Sequence, residues 1–181
     1  MRRLCCLVPV LSLSMMSAVA AHAGEFEVGL NDEVVSVGVT SPLMQGLNGS
    51  AGYIYSEPQG HLAQLGLALT HDAGAHHLQF GGKLVHVWAQ DRPDGTVLSV
   101  GGQYGLDLGS NLAWQSSAYY TPSVLAFGDM DGFYELGSGI QYNLTPQMGF
   151  YGGYRYIHFE YERARSETFD TGFYVGVKAR F

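Results

Sequence analysis

Cysteine is confined to Cys5 and Cys6 of a 181-residue chain, and both fall in an amino-terminal stretch that reads as an export signal. Arg2 and Arg3 open it, an apolar run follows from Leu4 to Val19, and Ala21-His22-Ala23 supplies the small-x-small cleavage pattern before Gly24. Removal after Ala23 is expected, so residues 24–181 carry neither thiol nor disulfide and their stability must come from elsewhere. The cysteines precede the apolar run instead of following it, which argues against a lipid-modified cysteine. Past the leader there is no apolar run long enough for a membrane helix, so a chain that spans a bilayer must do so as a barrel. Basic residues are scarce as well. Without Arg2 and Arg3 the 9 Lys and Arg fall to 7 against 16 Asp and Glu, a net charge of −9, and the footprint of a nucleic-acid binder is absent. No P-loop, dinucleotide fingerprint, G-x-S-x-G or zinc-protease motif occurs, so no cofactor is expected. What remains after the leader suits one domain and is short for two.

Glycine, at 25 residues, and tyrosine, at 12, are plentiful. Without a collagen period, that mix suits crowded, twisting strands and aromatic rings at interfaces. The stretch that organises the reading is the last one, Phe169 to Phe181. Phe169, Thr171, Phe173, Val175, Val177, Ala179 and Phe181 share one face, and Asp170, Gly172, Tyr174, Gly176, Lys178 and Arg180 the other. An oily face backed by a charged one fits a tilted membrane strand with lipid outside and a polar lumen inside. In a soluble sandwich the same pattern would be a core strand, and water solubility without detergent would decide for that reading.

The two-residue period recurs along the chain. Phe26, Val28 and Leu30 are followed after Asn31-Asp32 by Val35, Val37 and Val39, as a hairpin or one bent strand. Ser41-Pro42 through Gly49 reads as a connection. Ala51, Tyr53 and Tyr55 run to the Glu57-Pro58-Gln59-Gly60 turn, Leu65, Leu67 and Leu69 to a break at His71-Asp72-Ala73-Gly74, and Leu78, Phe80 and Leu84 to Asp91 through Gly95. Leu98, Val100 and Tyr104 precede the Leu108 to Asn111 turn. Leu112, Trp114 and Tyr120 precede a longer irregular piece through Gly132. Leu136, Ile140 and Tyr142 reach Thr145-Pro146-Gln147, then Phe150, Tyr154 and Tyr156 lead to the charged Glu160 to Glu167 and the final strand. The expected fold is all-β: a closed antiparallel transmembrane barrel of ten strands, or eight if the first pieces merge or lie outside it. Short turns such as Thr145-Pro146-Gln147 are assigned to the periplasmic side and the longer Pro122 to Asp131 and Tyr161 to Thr168 to the outside. Trp88, Trp114, Tyr119, Tyr120, Tyr134, Tyr142, Tyr154 and Tyr156, mostly near strand ends, would form interfacial girdles.

The inward face then holds Glu27, Gln64, Gln79, Lys83, Gln103, Gln115, Glu135, Gln141, Arg155, Lys178 and Arg180, with glycines between. Ions facing a low-dielectric wall must be paired or hydrated, so Glu27, Lys83, Glu135, Arg155, Lys178 and Arg180 are expected to form a polar network that fills the lumen. A narrow water-filled pore is the alternative.

The runs S-A-Y-Y-T-P-S from Ser117, F-Y-E-L-G-S-G-I-Q-Y-N-L-T-P-Q-M-G-F-Y-G-G-Y-R-Y from Phe133 and G-F-Y-V-G-V-K-A-R-F from Gly172 resemble the carboxyl-terminal half of the YfaZ family of small outer-membrane proteins. The resemblance implies an outer-membrane barrel of a Gram-negative bacterium and carries no catalytic residue. The aromatic end of the last strand resembles the sorting signal of such barrels. It implies that Tyr174, Gly176 and Phe181 are read by the outer-membrane assembly machinery, the partner expected besides the lipids themselves.

Two other clusters hold side chains of catalytic or metal-ligating type. Ile157-His158-Phe159-Glu160 resembles the His-x-Ser strand of outer-membrane lipid A deacylases, in which base and nucleophile share a strand face, but Glu160 stands in the nucleophile's place. With Arg155 inward, His158 and Glu160 point outward near the extracellular rim. His71, Asp72, His76 and His77 are metal-ligand types, yet their spacing fits no closed tetrahedral site and a solvated turn is the simpler account. The expectation is a non-enzymatic structural or interaction protein, with a solute channel and a lipid-modifying enzyme as lesser alternatives.

Overall fold

The computed structural model describes residues 24–90, 92–162 and 165–181. The expected leader, 1–23, lies outside the described residues. Eleven strands follow in order: β1 (Glu25–Leu30), β2 (Val34–Met44), β3 (Leu47–Ser56), β4 (Gly60–Ala73), β5 (His76–Ala89), β6 (Gly95–Asp107), β7 (Leu112–Thr121), β8 (Ala126–Gly128), β9 (Met130–Asn143), β10 (Met148–Tyr161) and β11 (Glu167–Arg180). All but β8 join one antiparallel ring that closes where β1 pairs with β11, from Glu25 opposite Arg180 to Leu30 opposite Val175. Ten ring strands are therefore present, β1 and β2 being separate strands of a hairpin. Closure leaves no free sheet edge along the ring.

Both termini lie at one end of the ring, where Gly24 and Phe181 exchange backbone hydrogen bonds of 2.7 and 3.0 Å. This terminus end also carries the short β2–β3, β4–β5, β6–β7 and β9–β10 connections. The β4–β5 turn has Gly74 at φ +65, the left-handed backbone that the first central position of a two-residue hairpin of type II′ requires. The opposite, loop end carries the longer connections.

Three local expectations are corrected. Ser41 to Gly49 is not a connection: β2 runs on to Met44 and β3 begins at Leu47, with a register shift between Pro42 and Met44. The irregularity accommodates a residue that cannot donate to the ladder. The piece after Thr121 is not wholly irregular, because a 3-10 turn at Ser123–Leu125 leads into β8, which pairs Gly95, Thr96 and Val97 of β6 with Gly128, Phe127 and Ala126. β7 reaches up β6 only as far as Val100, so β8 covers the edge left above it. Phe169 is not on the outer face. The β10–β11 register shifts between Ile157 and His158, and this bulge turns both Phe169 and Asp170 inward, each buried.

The outer wall is oily as alternation demands. Leu65, Leu67, Leu69, Phe80, Ile140, Phe150, Phe173 and Val175 are all more than half exposed, which is the surface of a sheet meant for hydrocarbon. The buried core is inside the ring at the loop end. Val34, Ile54, Leu62, Val85, Val87, Val97, Tyr119, Met130, Phe133, Ile157, Phe159, Tyr161 and Phe169 make one cluster, to which every ring strand except β1 contributes. Phe133 and Phe159 lie with ring centroids 4.9 Å apart.

Candidate functional site

Period-two alternation stacks the inner face in tiers. One step toward the terminus end from Leu62, Val85, Phe133 and Ile157 come Gln64, Lys83, Glu135 and Arg155 on the same strands and the same face. An apolar tier thus sits directly on a polar one, and the polar tier is where the charges meet.

Lys83 on β5 reaches Glu135 on β9 at 2.6 Å. β6 and β7 lie between these strands, so the pair crosses the lumen as a chord. Gln64 accepts from the same ammonium at 3.4 Å, and the Tyr119 ring lies 3.9 Å beneath it, a cation–π contact that replaces part of the lost hydration. Arg155 forms a second node with Asp170 at 2.6 Å. Asn31 donates to the other carboxylate oxygen of Asp170 at 3.0 Å, while its own side-chain oxygen accepts from the backbone of Glu33 and Val34. The β1–β2 turn is thereby tied to the inner ion pair. A third node lies nearer the termini, with Lys178 2.8 Å from Glu25 and 3.7 Å from Glu27, and Arg180 2.9 Å from Glu25.

All six residues expected to build the lumen network, Glu27, Lys83, Glu135, Arg155, Lys178 and Arg180, face the interior. They form three separate nodes instead of one continuous web. Sequence reading missed Glu25 and Asp170 as their acidic partners, although both lie on the inward parity of β1 and β11. It also missed Tyr151 and Tyr174 as neighbours of the cations, the latter 5.2 Å from the Arg155 guanidinium, and Tyr119 is not a girdle residue but lies buried in the lumen under Lys83. Across the nodes Glu25, Glu27, Glu135 and Asp170 balance Lys83, Arg155, Lys178 and Arg180.

Two hollows accompany the nodes, one of about 250 Å³ among Gln64, Lys83, Glu135 and Arg155, and one of about 890 Å³ at the terminus-end mouth among Gln79, Gln103, Gln141 and Asn143. At that mouth His77 bridges Asp72 at 2.7 Å and Asp107 at 3.1 Å, one carboxylate on each ring nitrogen. His71 and His76 are exposed on the outer wall. The His-rich stretch is therefore not a solvated turn but two strand ends, and alternation splits its side chains between the two faces of the wall. Among the described residues no group of three His, Cys, Asp or Glu side chains is arranged to hold a metal.

Of the residues expected to serve in sorting, Tyr174 and Gly176 face the lumen, and Phe181 is exposed at the terminus end with its ring over Gly24. His158 is on the outer wall near the loop end, stacked between Tyr134 and Tyr156 at 5.6 and 5.8 Å, with its Nδ1 3.1 Å from the Thr168 hydroxyl.

The sequence profile described as YfaZ precursor matches residues 2–181. The chain is 28% identical over 137 residues to Outer membrane protein YfaZ of Escherichia coli (strain K12), which is 75% of this chain and 76% of that protein. Among solved structures it is similar to the NanC porin, with a TM-score of 0.49 at 7% identity over 89% of this chain and 99% of that one. It is also similar to the KdgM porin, with a TM-score of 0.48 at 11% identity over 88% and 99%.

Proposed function

The chain belongs to the YfaZ family of outer-membrane proteins, and on that premise we propose that it works as a sealed outer-membrane barrel of structural or interaction type, neither a solute pore nor an enzyme. The observation that carries this reading is the apolar tier. Side chains from nine strands fill the loop-end interior, with Phe133, Val85 and Ile157 fully buried. Close-packed side chains leave no room for a file of water, and the polar hollows beneath them open toward the terminus end. The test is conductance in planar bilayers, using protein whose heat-modifiable migration shows that it is folded. The expected result is electrical silence. A reproducible ohmic step would overturn the sealed reading in favour of a narrow channel.

The enzyme reading is opposed by what surrounds His158. Thr168 stands at the distance of a nucleophile, but a base of that kind needs an acid on its other ring nitrogen to orient it, and among the described residues none contacts Nε2. The same contact between Nδ1 and a hydroxyl recurs at His86 with Thr96, His61 with Tyr53 and His76 with Tyr104, which marks it as a structural habit of this wall. Lipid A profiles should be identical with and without the protein. Recognition of the last strand by the assembly machinery is supported by the exposed terminal Phe181 alone, since Tyr174 faces the lumen and Gly176 packs against Tyr151 inside it.

A further inference from the structure

Among the described residues five histidines face outward, and four of them sit on one hairpin. His61 and His71 are ten residues apart on β4, and His76 and His86 are ten residues apart on β5. At about 3.3 Å per residue this spacing spans about 33 Å of strand. With a tilt of about 40° the rise is about 25 Å, the height of the apolar band on an outer-membrane barrel. The outward residues between the histidines are Ala63, Leu65, Leu67 and Leu69 on β4 and Leu78, Phe80, Gly82 and Leu84 on β5. His61 lies beside Trp88 and His86 beside Ala63 at the loop end, while His71 lies beside Leu78 and His76 beside Ala73 at the terminus end. One oily panel is thus bounded above and below by imidazole pairs at headgroup depth.

Three of the four rings are held alike. Nδ1 of His61 meets the Tyr53 hydroxyl, Nδ1 of His76 meets the Tyr104 hydroxyl at 2.7 Å, and Nδ1 of His86 meets the Thr96 hydroxyl at 2.7 Å. A hydroxyl that donates to Nδ1 leaves the ring proton on Nε2, which makes no hydrogen bond among the described residues. In that tautomer each of the three rings presents an N–H donor on the lipid side. Between the two belts the wall is indented by an outer hollow of about 710 Å³ around Ala51 and Gly82, walled by Leu43, Leu65, Leu67 and Leu84.

We propose that the β4–β5 panel is a binding site for phosphate-bearing lipid, its headgroup phosphate accepting from histidine Nε2–H at the belts and an acyl chain lying in the hollow. The partner is a membrane lipid and not free phosphate, because the donors stand at the edges of a hydrophobic panel and the hollow between them is apolar.

The test uses the folded, full-length barrel in detergent, offered phosphatidic acid and diacylglycerol of the same chains in equal amounts, with retained lipid read by native mass spectrometry. Hydrogen bonds to a charged group predict a preference for phosphatidic acid of about tenfold or more. The variant H61F/H71F/H76F/H86F keeps the rings and removes the donors, and should bring the preference close to one. The single variants H76F and H86F should each lower it partway, which keeps the test available if the quadruple variant assembles poorly. Ala51→Leu, which fills the hollow, should weaken retention of both lipids while leaving their ratio unchanged. Equal retention of the two lipids by the unaltered protein would overturn the proposal, as would an undiminished preference in H76F and H86F. Displacement of phosphatidic acid by inorganic phosphate would mean a free-anion site, and a dimer that excludes lipid from this panel would mean a protein partner. Either result would overturn it.

Discussion

Replacing Glu135 by glutamine leaves the Lys83 ammonium inside the barrel without its anion. The two side chains are 10% and 14% exposed and 2.6 Å apart. At an effective dielectric of about 20, unit charges at about 4 Å attract by about 4 kcal/mol, an attraction that in the native protein offsets the desolvation of both groups. Removing one partner from a buried pair costs about 3–5 kcal/mol. Here Gln64 and the Tyr119 ring remain beside the ammonium and soften the loss by about 1 kcal/mol, so E135Q should cost about 2–4 kcal/mol. The double variant K83M/E135Q removes both charges together and should cost less than E135Q alone, about 1 kcal/mol. The double-mutant cycle should therefore return a coupling of a few kcal/mol. The assay is urea unfolding from lipid vesicles, followed by the emission of Trp88 and Trp114 and by the folded band on a gel. If E135Q fell within about 0.5 kcal/mol of the parent, or if the two changes were additive, the chord across the lumen would not be a buried ion pair.

Other changes probe the apolar tier and the ends. F133A/F159A removes the two rings at the centre of that tier, each substitution costing about 3–5 kcal/mol, and planar-bilayer recordings should show conductance absent from the parent. Thr121, fully buried, has a hydroxyl with no partner among the described residues. T121V keeps its shape and should stabilise the fold by about 1 kcal/mol or more in the same urea assay. Deleting Phe181 should lower the yield of heat-modifiable protein in the outer membrane while leaving the protein refolded in vitro able to form the ring. Normal yield in cells would separate this residue from sorting. Gly81 leaves no space for a side chain, since a Cβ there would run into the Leu67 carbonyl oxygen, so G81A should slow or prevent assembly, read as loss of the folded band.

The lipid wall and the inward placement of Lys83, Glu135 and Arg155 were legible because a strand offers only two directions and the chain alternates accordingly. The apolar tier was not read. Its trace is present where alternation fails and both parities are bulky, as in Leu84-Val85-His86-Val87-Trp88 and Tyr156-Ile157-His158-Phe159. Such a run marks a strand segment with lipid on one side and packed interior on the other. Phe169 was misplaced for a related reason, because a bulge inserts one residue and inverts every parity beyond it, and no local residue pattern announced it.

By itself the sequence determined the class of fold, the strand number once Asn31-Asp32 is taken as a turn, and which polar residues look inward, all consequences of a short-range period. Only the closed ring decided which charges meet. Lys83 and Glu135 are 52 positions apart and Glu25 and Arg180 are 155 apart, and such neighbours are set by strand order, tilt and stagger around the ring, which no local pattern encodes. Ring closure also stacked the inward residues of separate strands at common heights, turning scattered bulky positions into one apolar layer above a charged one.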